Sequence, residues 1–76
     1  MLGDVMRRHR LAAGLSQERL GFRADVDRTS VSNIERDRKS PTVDTLIRLC
    51  RAMNARPSEI LAEIEDSYRL KRRKKA

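Results

Sequence analysis

The sequence predicts an all-α protein, a compact bundle of five helices. Apolar residues recur every three to four positions in five separate segments of the chain, which is the period of amphipathic helices. Residue types that cap or interrupt helices stand between these segments. At 76 residues the chain has room for one domain, near the small end of what folds alone.

Helix 1 is predicted over residues 2–13, where Leu2, Met6, His9 and Ala13 share one face. Gly14 ends this helix, because glycine reaches the left-handed conformation without a side-chain penalty. His9 is the sole histidine and lies on the apolar stripe. That position favours a packed or half-exposed side chain over a catalytic or metal-binding one.

Helices 2 and 3 are predicted over residues 17–24 and 28–36, on either side of a tight turn. Ser16 and Asp27 directly precede them, and both residue types accept hydrogen bonds from the free N–H groups of a first helical turn. Asp25 stands where the turn needs a left-handed residue, which aspartate tolerates better than most.

Helix 4 is predicted over residues 43–53, with Thr42 as its cap. Pro41 separates it from helix 3, and Asn54 can close it. Its buried stripe includes Cys50, which we interpret as a small core residue and not as a redox sensor. A lone cysteine cannot form an intramolecular disulfide and indicates a reducing compartment or no redox role.

Helix 5 begins near Pro57 and carries Ile60, Leu61 and Ile64 toward the core or toward a partner. From Tyr68 onward the chain has too few apolar residues to pack and repels itself, which predicts a frayed helix end or a flexible tail. We therefore divide the chain into a folded domain over residues 1–66 and a basic tail over residues 67–76.

The charge balance favours a polyanionic partner. The chain has 18 Lys and Arg against 11 Asp and Glu, a net charge of +7, and nucleic acid is the commonest partner of such a domain. Lys71 to Lys75 contribute five of these charges, but the body without them is still mildly basic. Phe22 and Tyr68 are the only aromatic residues, which argues against stacking on single-stranded bases and so favours duplex DNA.

The outer face of helix 3 carries the kinds of side chain that contact bases in duplex DNA. Arg28, Thr29, Ser32 and Asn33 point away from its apolar side, so a helix with one arginine and several short hydrogen-bonding groups projects outward. The major groove of DNA admits one α-helix and presents patterns that such side chains can distinguish. The alternative interpretation is an ordinary helical hairpin in a small bundle.

Three motifs resemble those of a known family. They are RLAAGLSQERL at residues 10–20, DRTSVSNIER at 27–36 and SPTVDTL at 40–46, and they resemble the phage Cro and repressor-type (XRE-like) helix-turn-helix family over residues 2–61. The segment FRADVDRTSVS at 22–32 is also similar to the controller proteins of restriction-modification systems, which are small dimeric regulators. The chain departs from the family at Gly21, where alanine is usual, at Asp25 and Asp37, where glycine is usual, and at His9, where leucine is common.

The resemblance implies a lambda-repressor-like fold with the helix-turn-helix at helices 2 and 3. It also implies a transcriptional regulator that binds a palindromic operator in double-stranded DNA as a homodimer. The resemblance assigns base reading to Arg28, Thr29, Ser32 and Asn33. It assigns phosphate contacts to Gln17, Arg36, Arg38 and Lys39. Ser30 contacts either a phosphate or the turn before helix 3. An internal ion pair falls on Arg10 and Glu35, with two separately solvated charges as the alternative. The dimer surface falls on Ala55, Arg56, Pro57, Ile60, Leu61 and Ile64.

Other classes of function find less support. No set of His, Cys, Ser and acidic residues converges and no Gly-rich phosphate loop is present, so we expect no enzyme, no cofactor and no metal site. An antitoxin or antirepressor that presents helix 5 and the tail to a protein partner remains the alternative function. No apolar run approaches a membrane span or a signal sequence, so we expect a cytoplasmic protein, encoded by a bacterium or a phage, with no small-molecule ligand evident.

Overall fold

The computed structural model describes the backbone of residues 1–75 and the side chains of residues 1–69. Within that backbone there is no strand. The helices are α1 (Leu2–Ala12), α2 (Gln17–Ala24), α3 (Arg28–Glu35), α4 (Val43–Ala52) and α5 (Pro57–Lys75). The predicted all-α five-helix bundle is confirmed, and α2 and α3 with the turn between them form the helix-turn-helix.

The helices begin where their capping residues stand. The side chains of Ser16, Asp27 and Thr42 each accept a hydrogen bond from the backbone N–H three residues further along, at 3.0, 2.6 and 3.1 Å. These bonds satisfy donors that have no partner inside a helix. All five predicted starts agree with the structure, and for α2, α3 and α4 the local cap explains the agreement.

Three helices end one residue earlier than predicted. Ala13, Arg36 and Met53 are the C-caps of α1, α3 and α4, and their N–H groups still donate to carbonyl groups of the last turn. A cap is only half helical, so the periodicity of the sequence does not separate it from the helix proper.

A left-handed residue follows each of the first four helices. Gly14 has φ of 72°, Asp25 and Asp37 have 57°, and Asn54 has 59°. Glycine reaches this region freely, and aspartate and asparagine tolerate it better than other residues. The two aspartates therefore occupy turn positions where the family usually has glycine, and the turns keep their geometry.

Gly21 has a steric reason to lack a side chain. A Cβ built at this position would collide with the backbone carbonyl oxygen of Val26, which lies in the turn after α2. The turn therefore packs directly onto the helix backbone.

The core lies where the five helices converge. α3 packs against α1 and α2, α2 also packs against α4, and α5 closes the bundle against α1 and α4. Cys50 is fully buried in this core, and its burial raises the pKa of the thiol. The buried apolar residues are Val5, Met6, Leu15, Leu20, Ala24, Val31, Ile34, Leu46, Leu49, Cys50, Met53 and Ile60.

Glu63 joins α5 to α1. One carboxylate oxygen lies 2.7 Å from Nε2 of His9, and the other lies 2.9 Å from a guanidinium nitrogen of Arg8. The hydrogen bonds from His9 and then Arg8 lower the pKa of Glu63. His9 is 26% exposed, so the prediction of a packed or half-exposed histidine is confirmed.

The helical backbone of α5 continues to Lys75, past residue 66, where the sequence predicted the folded domain to end. The predicted tail at 67–76 has its first three side chains described, and those of residues 70–76 lie outside the described residues. The division into domain and basic tail therefore stays a prediction. Ile60 was assigned to a dimer surface, and this is wrong for the chain as folded, because Ile60 is 0% exposed in its own core.

Candidate nucleic-acid interface

α3 has two chemically distinct faces. Val31 and Ile34 are each 2% exposed and pack into the core. On the opposite face Arg28 and Thr29 are exposed, and Ser32 and Asn33 are half-buried. The structure therefore brings all four predicted base-reading residues onto one accessible helix face.

The interior of the motif holds that face outward. Leu20 and Ala24 of α2 are buried against the same core as Val31 and Ile34. The turn between α2 and α3 is closed by the N–H of Val26, which donates to the carbonyl oxygen of Gly21 at 2.8 Å. Because the two helices share a core across a short turn, α3 cannot roll to bury its polar side.

A buried ion pair connects α3 to α1. The Nε of Arg10 lies 2.6 Å from Oε2 of Glu35, and a terminal guanidinium nitrogen lies 3.1 Å from Oε1. The two side chains are 9% and 4% exposed, so they are not separately solvated charges. Arg10 also donates to the carbonyl oxygen of Leu15 at 2.8 Å. The pair therefore fastens the end of α3 to α1 and to the segment that leads into α2.

Gln17, in the first turn of α2, extends this network. Its side-chain nitrogen donates to Oε1 of Glu35 at 3.2 Å, and the residue is half-buried. An amide nitrogen carries two N–H groups, so one hydrogen remains to donate to a phosphate oxygen. The free N–H groups of the first turn of α2 favour an anion at this end of the helix, beside Gln17.

The basic residues predicted to contact phosphates follow α3 directly. Arg36, Arg38 and Lys39 are all exposed. Ser30 is half-buried, and its backbone N–H, followed by its hydroxyl, lowers the pKa of Asp27 by hydrogen bonding to that carboxylate. The side chain of Ser30 therefore faces the helix cap. This favours a hydrogen bond within the turn over a phosphate contact for Ser30.

Asp37 has a second role, a contact with α1, that the sequence did not predict. Besides its left-handed backbone, its carboxylate accepts a hydrogen bond from the backbone N–H of Gly3 at 2.9 Å. This hydrogen bond lowers the pKa of Asp37, and the positively charged amino group of Met1, which donates to the same carboxylate, lowers it further. The contact ties the first turn of α1 to the end of α3 across 34 residues of sequence. No local pattern signals such a partnership.

The described side chains include no group of three or more His, Cys, Asp or Glu residues that could hold a metal ion. Within the same part of the chain, every buried side-chain nitrogen and oxygen has a hydrogen-bond partner. None of the described helices combines the length and the apolar character needed to cross a membrane.

Comparison with known proteins agrees with this geometry. A family model described as Helix-turn-helix matches residues 6–60. The chain is 32% identical over 62 residues to Control protein C.BamHI of Bacillus amyloliquefaciens, a match that covers 80% of this chain and 76% of that protein.

Solved structures give the same result. The restriction-modification controller protein C.AhdI of Aeromonas hydrophila superimposes with a TM-score of 0.75 at 34% identity, covering 78% of this chain and 89% of that one. The DNA-binding domain of the P22 C2 repressor superimposes with a TM-score of 0.77 at 26% identity, and 80% of each chain is covered.

Proposed function

The chain belongs to the XRE-like helix-turn-helix family of DNA-binding transcriptional regulators, which are not enzymes, and from this we propose that it binds a palindromic operator as a homodimer. In this proposal α3 of each copy enters the major groove. The observation that carries the proposal is the single polar, accessible face of α3 opposite Val31 and Ile34.

Base reading follows from the chemistry of that face. Arg28 can donate two hydrogen bonds to O6 and N7 of guanine, and Asn33 can pair with N6 and N7 of adenine. The methyl group of Thr29 can contact the methyl group of thymine, and the hydroxyl of Ser32 can pair with several bases. These four residues are proposed to determine the operator sequence.

Phosphate contacts would fix α3 in the groove without reading sequence. Gln17 donates from the first turn of α2, where the partial positive charge of the helix attracts the same phosphate. Beyond the groove, the DNA phosphates would be contacted by Arg36, Arg38 and Lys39. Ser30 would contact a phosphate only if its hydroxyl rotated away from the helix cap.

A dimer follows from the size of the interface. One recognition helix reads only a few base pairs, so high specificity requires two copies on a symmetric site. The proposed surface is formed by α5 and the segment before it, where Leu61 is 53% exposed and Ile64 is half-buried. Because Ile60 is buried in the core, the proposed dimer surface consists of the remaining residues, Ala55, Arg56, Pro57, Leu61 and Ile64.

The remaining assignments concern the tail and the location. The basic residues at 67–76 would add sequence-independent affinity for duplex DNA, because each neutralised phosphate releases counterions. A regulator of this kind would work on the nucleoid, in the bacterial cytoplasm.

In vitro selection of duplex sites with the purified protein tests binding, symmetry and spacing together. We expect palindromic sites whose half-site centres are about one helical turn, roughly 10 base pairs, apart. Light scattering at micromolar concentration should show a dimer. A monomer in solution together with single asymmetric half-sites would overturn the dimer proposal, and selection of no duplex would overturn base reading by α3.

A further inference from the structure

We propose that Asp27, the residue that caps α3, is also a specificity residue, and that its carboxylate accepts a hydrogen bond from the exocyclic amino group of a cytosine. This inference rests on the proposed function, because it needs α3 to lie in the major groove. It adds to the four residues of the outer face a carboxylate that selects one base and rejects others.

The cap uses part of the hydrogen-bonding capacity of the Asp27 carboxylate. The backbone of Asp27 is extended, with φ of −71° and ψ of 156°, and Oδ1 accepts the N–H of Ser30 at 2.6 Å. The hydroxyl of Ser30 also hydrogen-bonds to this carboxylate. An ionised carboxylate has about four lone-pair sites, so the cap holds the side chain at the start of α3 and still leaves acceptor sites for a donor on the DNA.

Asp27 stands at the leading end of the helix, as its N-cap. Recognition helices of this motif contact base edges with their N-terminal residues. Asp27 is exposed and directly precedes Arg28, the arginine proposed to read guanine. A carboxylate at this point approaches the same base edges as the arginine beside it.

The carboxylate is charged and can only accept. The backbone N–H and then the hydroxyl of Ser30 lower the pKa of Asp27, and the ammonium group of Lys39 adds to this effect from a distance. An ionised carboxylate has no hydrogen to donate. Lys39, as a proposed phosphate contact, would also offset the repulsion between Asp27 and the DNA backbone.

Such an acceptor discriminates between bases by what they present. In the major groove cytosine presents the N4 amino group, a donor that aspartate is suited to meet. Guanine presents only acceptors there, and thymine presents the acceptor O4 and a methyl group. Guanine and thymine therefore offer the carboxylate no donor, and Asp27 rejects both. Adenine presents its N6 amino group, but the acceptor N7 lies beside that group and opposes a carboxylate, so cytosine is preferred.

Two variants separate this role from the capping role. Asp27→Asn keeps a capping oxygen but adds N–H donors, and Asp27→Ser keeps a capping oxygen on a shorter side chain and removes the carboxylate. Asp66→Asn is the control, because it removes the same charge from an exposed side chain on α5. Thermal melting followed by circular dichroism should show that all three variants remain folded, since asparagine and serine cap helices about as well as aspartate.

The readout is competition binding to a panel that carries each of the four base pairs at every position of the selected operator. Discrimination of roughly 5- to 150-fold, the usual range for one mismatched pair, is expected at one cytosine per half-site for the unaltered protein. Asp27→Ser should remove this preference, and Asp27→Asn should shift it toward a base that presents an acceptor. Asp66→Asn should leave it unchanged.

Two results would contradict the inference in different ways. If the Asp27 variants retain the base preferences of the unaltered protein, Asp27 is only a cap, while the proposed function still stands. If the unaltered protein itself shows no base preference at any position, the proposed function fails and this inference fails with it.

Discussion

The side chain of Glu35 joins three helices. Its carboxylate accepts from Arg10 of α1 and from Gln17 of α2, while its own backbone belongs to α3. Burying an ion pair gains little net stability, because loss of hydration opposes the attraction between the charges. The gain is geometric, since a guanidinium held by two hydrogen bonds to one carboxylate leaves little freedom in the angle of α3.

Replacing Glu35 with alanine should be strongly destabilising. It leaves the buried guanidinium of Arg10 without its partner, which typically costs roughly 3–5 kcal/mol of unfolding free energy. Urea denaturation followed by circular dichroism measures this loss. Glu65→Ala, at an exposed position on α5, is the control and should change the free energy by no more than about 0.5 kcal/mol. A loss below about 1 kcal/mol for Glu35→Ala would show that the pair does not restrain the fold.

Acid should weaken the fold through Glu63. The pKa of Glu63 is lowered in the folded state by His9 and Arg8, so the unfolded chain binds a proton more readily. The contribution of Glu63 is therefore present above its unfolded pKa, about 4.3, and is lost as the pH falls through its lower folded pKa. Asp27 and Asp37, whose pKa values are also lowered, act in the same direction.

Melting temperatures measured across an acid pH series test this effect. Glu63→Gln should lower the melting temperature near neutral pH and flatten its decline below about pH 4, because one of the proton-linked groups is gone. Glu65→Gln, at an exposed position two residues away, should leave the decline as it is. Parallel curves for Glu63→Gln and the unaltered protein would exclude a contribution from the α1–α5 contact.

The proposed function gives α3 and the loop that follows it separate tasks. α3 carries Arg28 on its exposed face, whereas Lys39 lies in the polar segment before α4. A helix in the groove meets base edges, and a basic loop beside it meets phosphates, which are the same for every sequence.

Arg28→Ala and Lys39→Ala should therefore weaken binding in different ways. Arg28→Ala should remove roughly 1–3 kcal/mol of discrimination at one position per half-site. Lys39→Ala should weaken specific and nonspecific duplexes alike and reduce the slope of log affinity against log salt by about one unit for each subunit. Competition binding at two salt concentrations separates the two effects. If Lys39→Ala altered base preference and Arg28→Ala did not, α3 would not be the reading element.

The elements that the sequence predicted well are those with local causes. Ser16, Asp27 and Thr42 mark helix starts because a cap bonds to a residue three positions away. Asp37 and Glu63 were not foreseen as contacts because their partners lie 34 and 54 residues distant. Ile60 was misassigned for a related reason: periodicity shows that a side chain is apolar, but only packing against α1 and α4 shows which surface covers it.

The outer face of α3 could be predicted because a helix rotates its residues by a fixed angle, so the polar positions follow once the buried ones are known. The Arg10–Glu35 pair was implied only by family resemblance, since two charges 25 residues apart have no local signal. The role proposed for Asp27 required the structure, because only the structure shows that this residue is exposed while its carboxylate is bonded to the start of α3.

At the scale of the whole molecule, the proposed dimer depends on an exposed apolar side chain of α5. Leu61 is 53% exposed although it lies one residue after the fully buried Ile60. A second copy packing here would cover it, and burial of a leucine side chain contributes about 1.5–3 kcal/mol.

Leu61→Glu should weaken the dimer, because each copy would bring an unpaired carboxylate into the interface. Sedimentation across a concentration series should show a monomer at concentrations where the unaltered protein is dimeric. Phe22→Glu is the matched control, since Phe22 is 82% exposed but lies on α2. Equal dimer affinity for Leu61→Glu and the unaltered protein would place the dimer surface elsewhere.

If α3 reads base edges in the major groove, binding should depend on single base atoms of the operator, and modified operators measure that dependence. Replacing the guanine read by Arg28 with 7-deazaguanine removes the N7 acceptor and leaves base pairing and the phosphates intact. We expect this replacement to weaken binding by the unaltered protein about tenfold, within the range for a lost base contact, and to leave binding by Arg28→Ala unchanged. Equal affinity of the unaltered protein for the natural operator and for operators modified at every guanine N7 would contradict it.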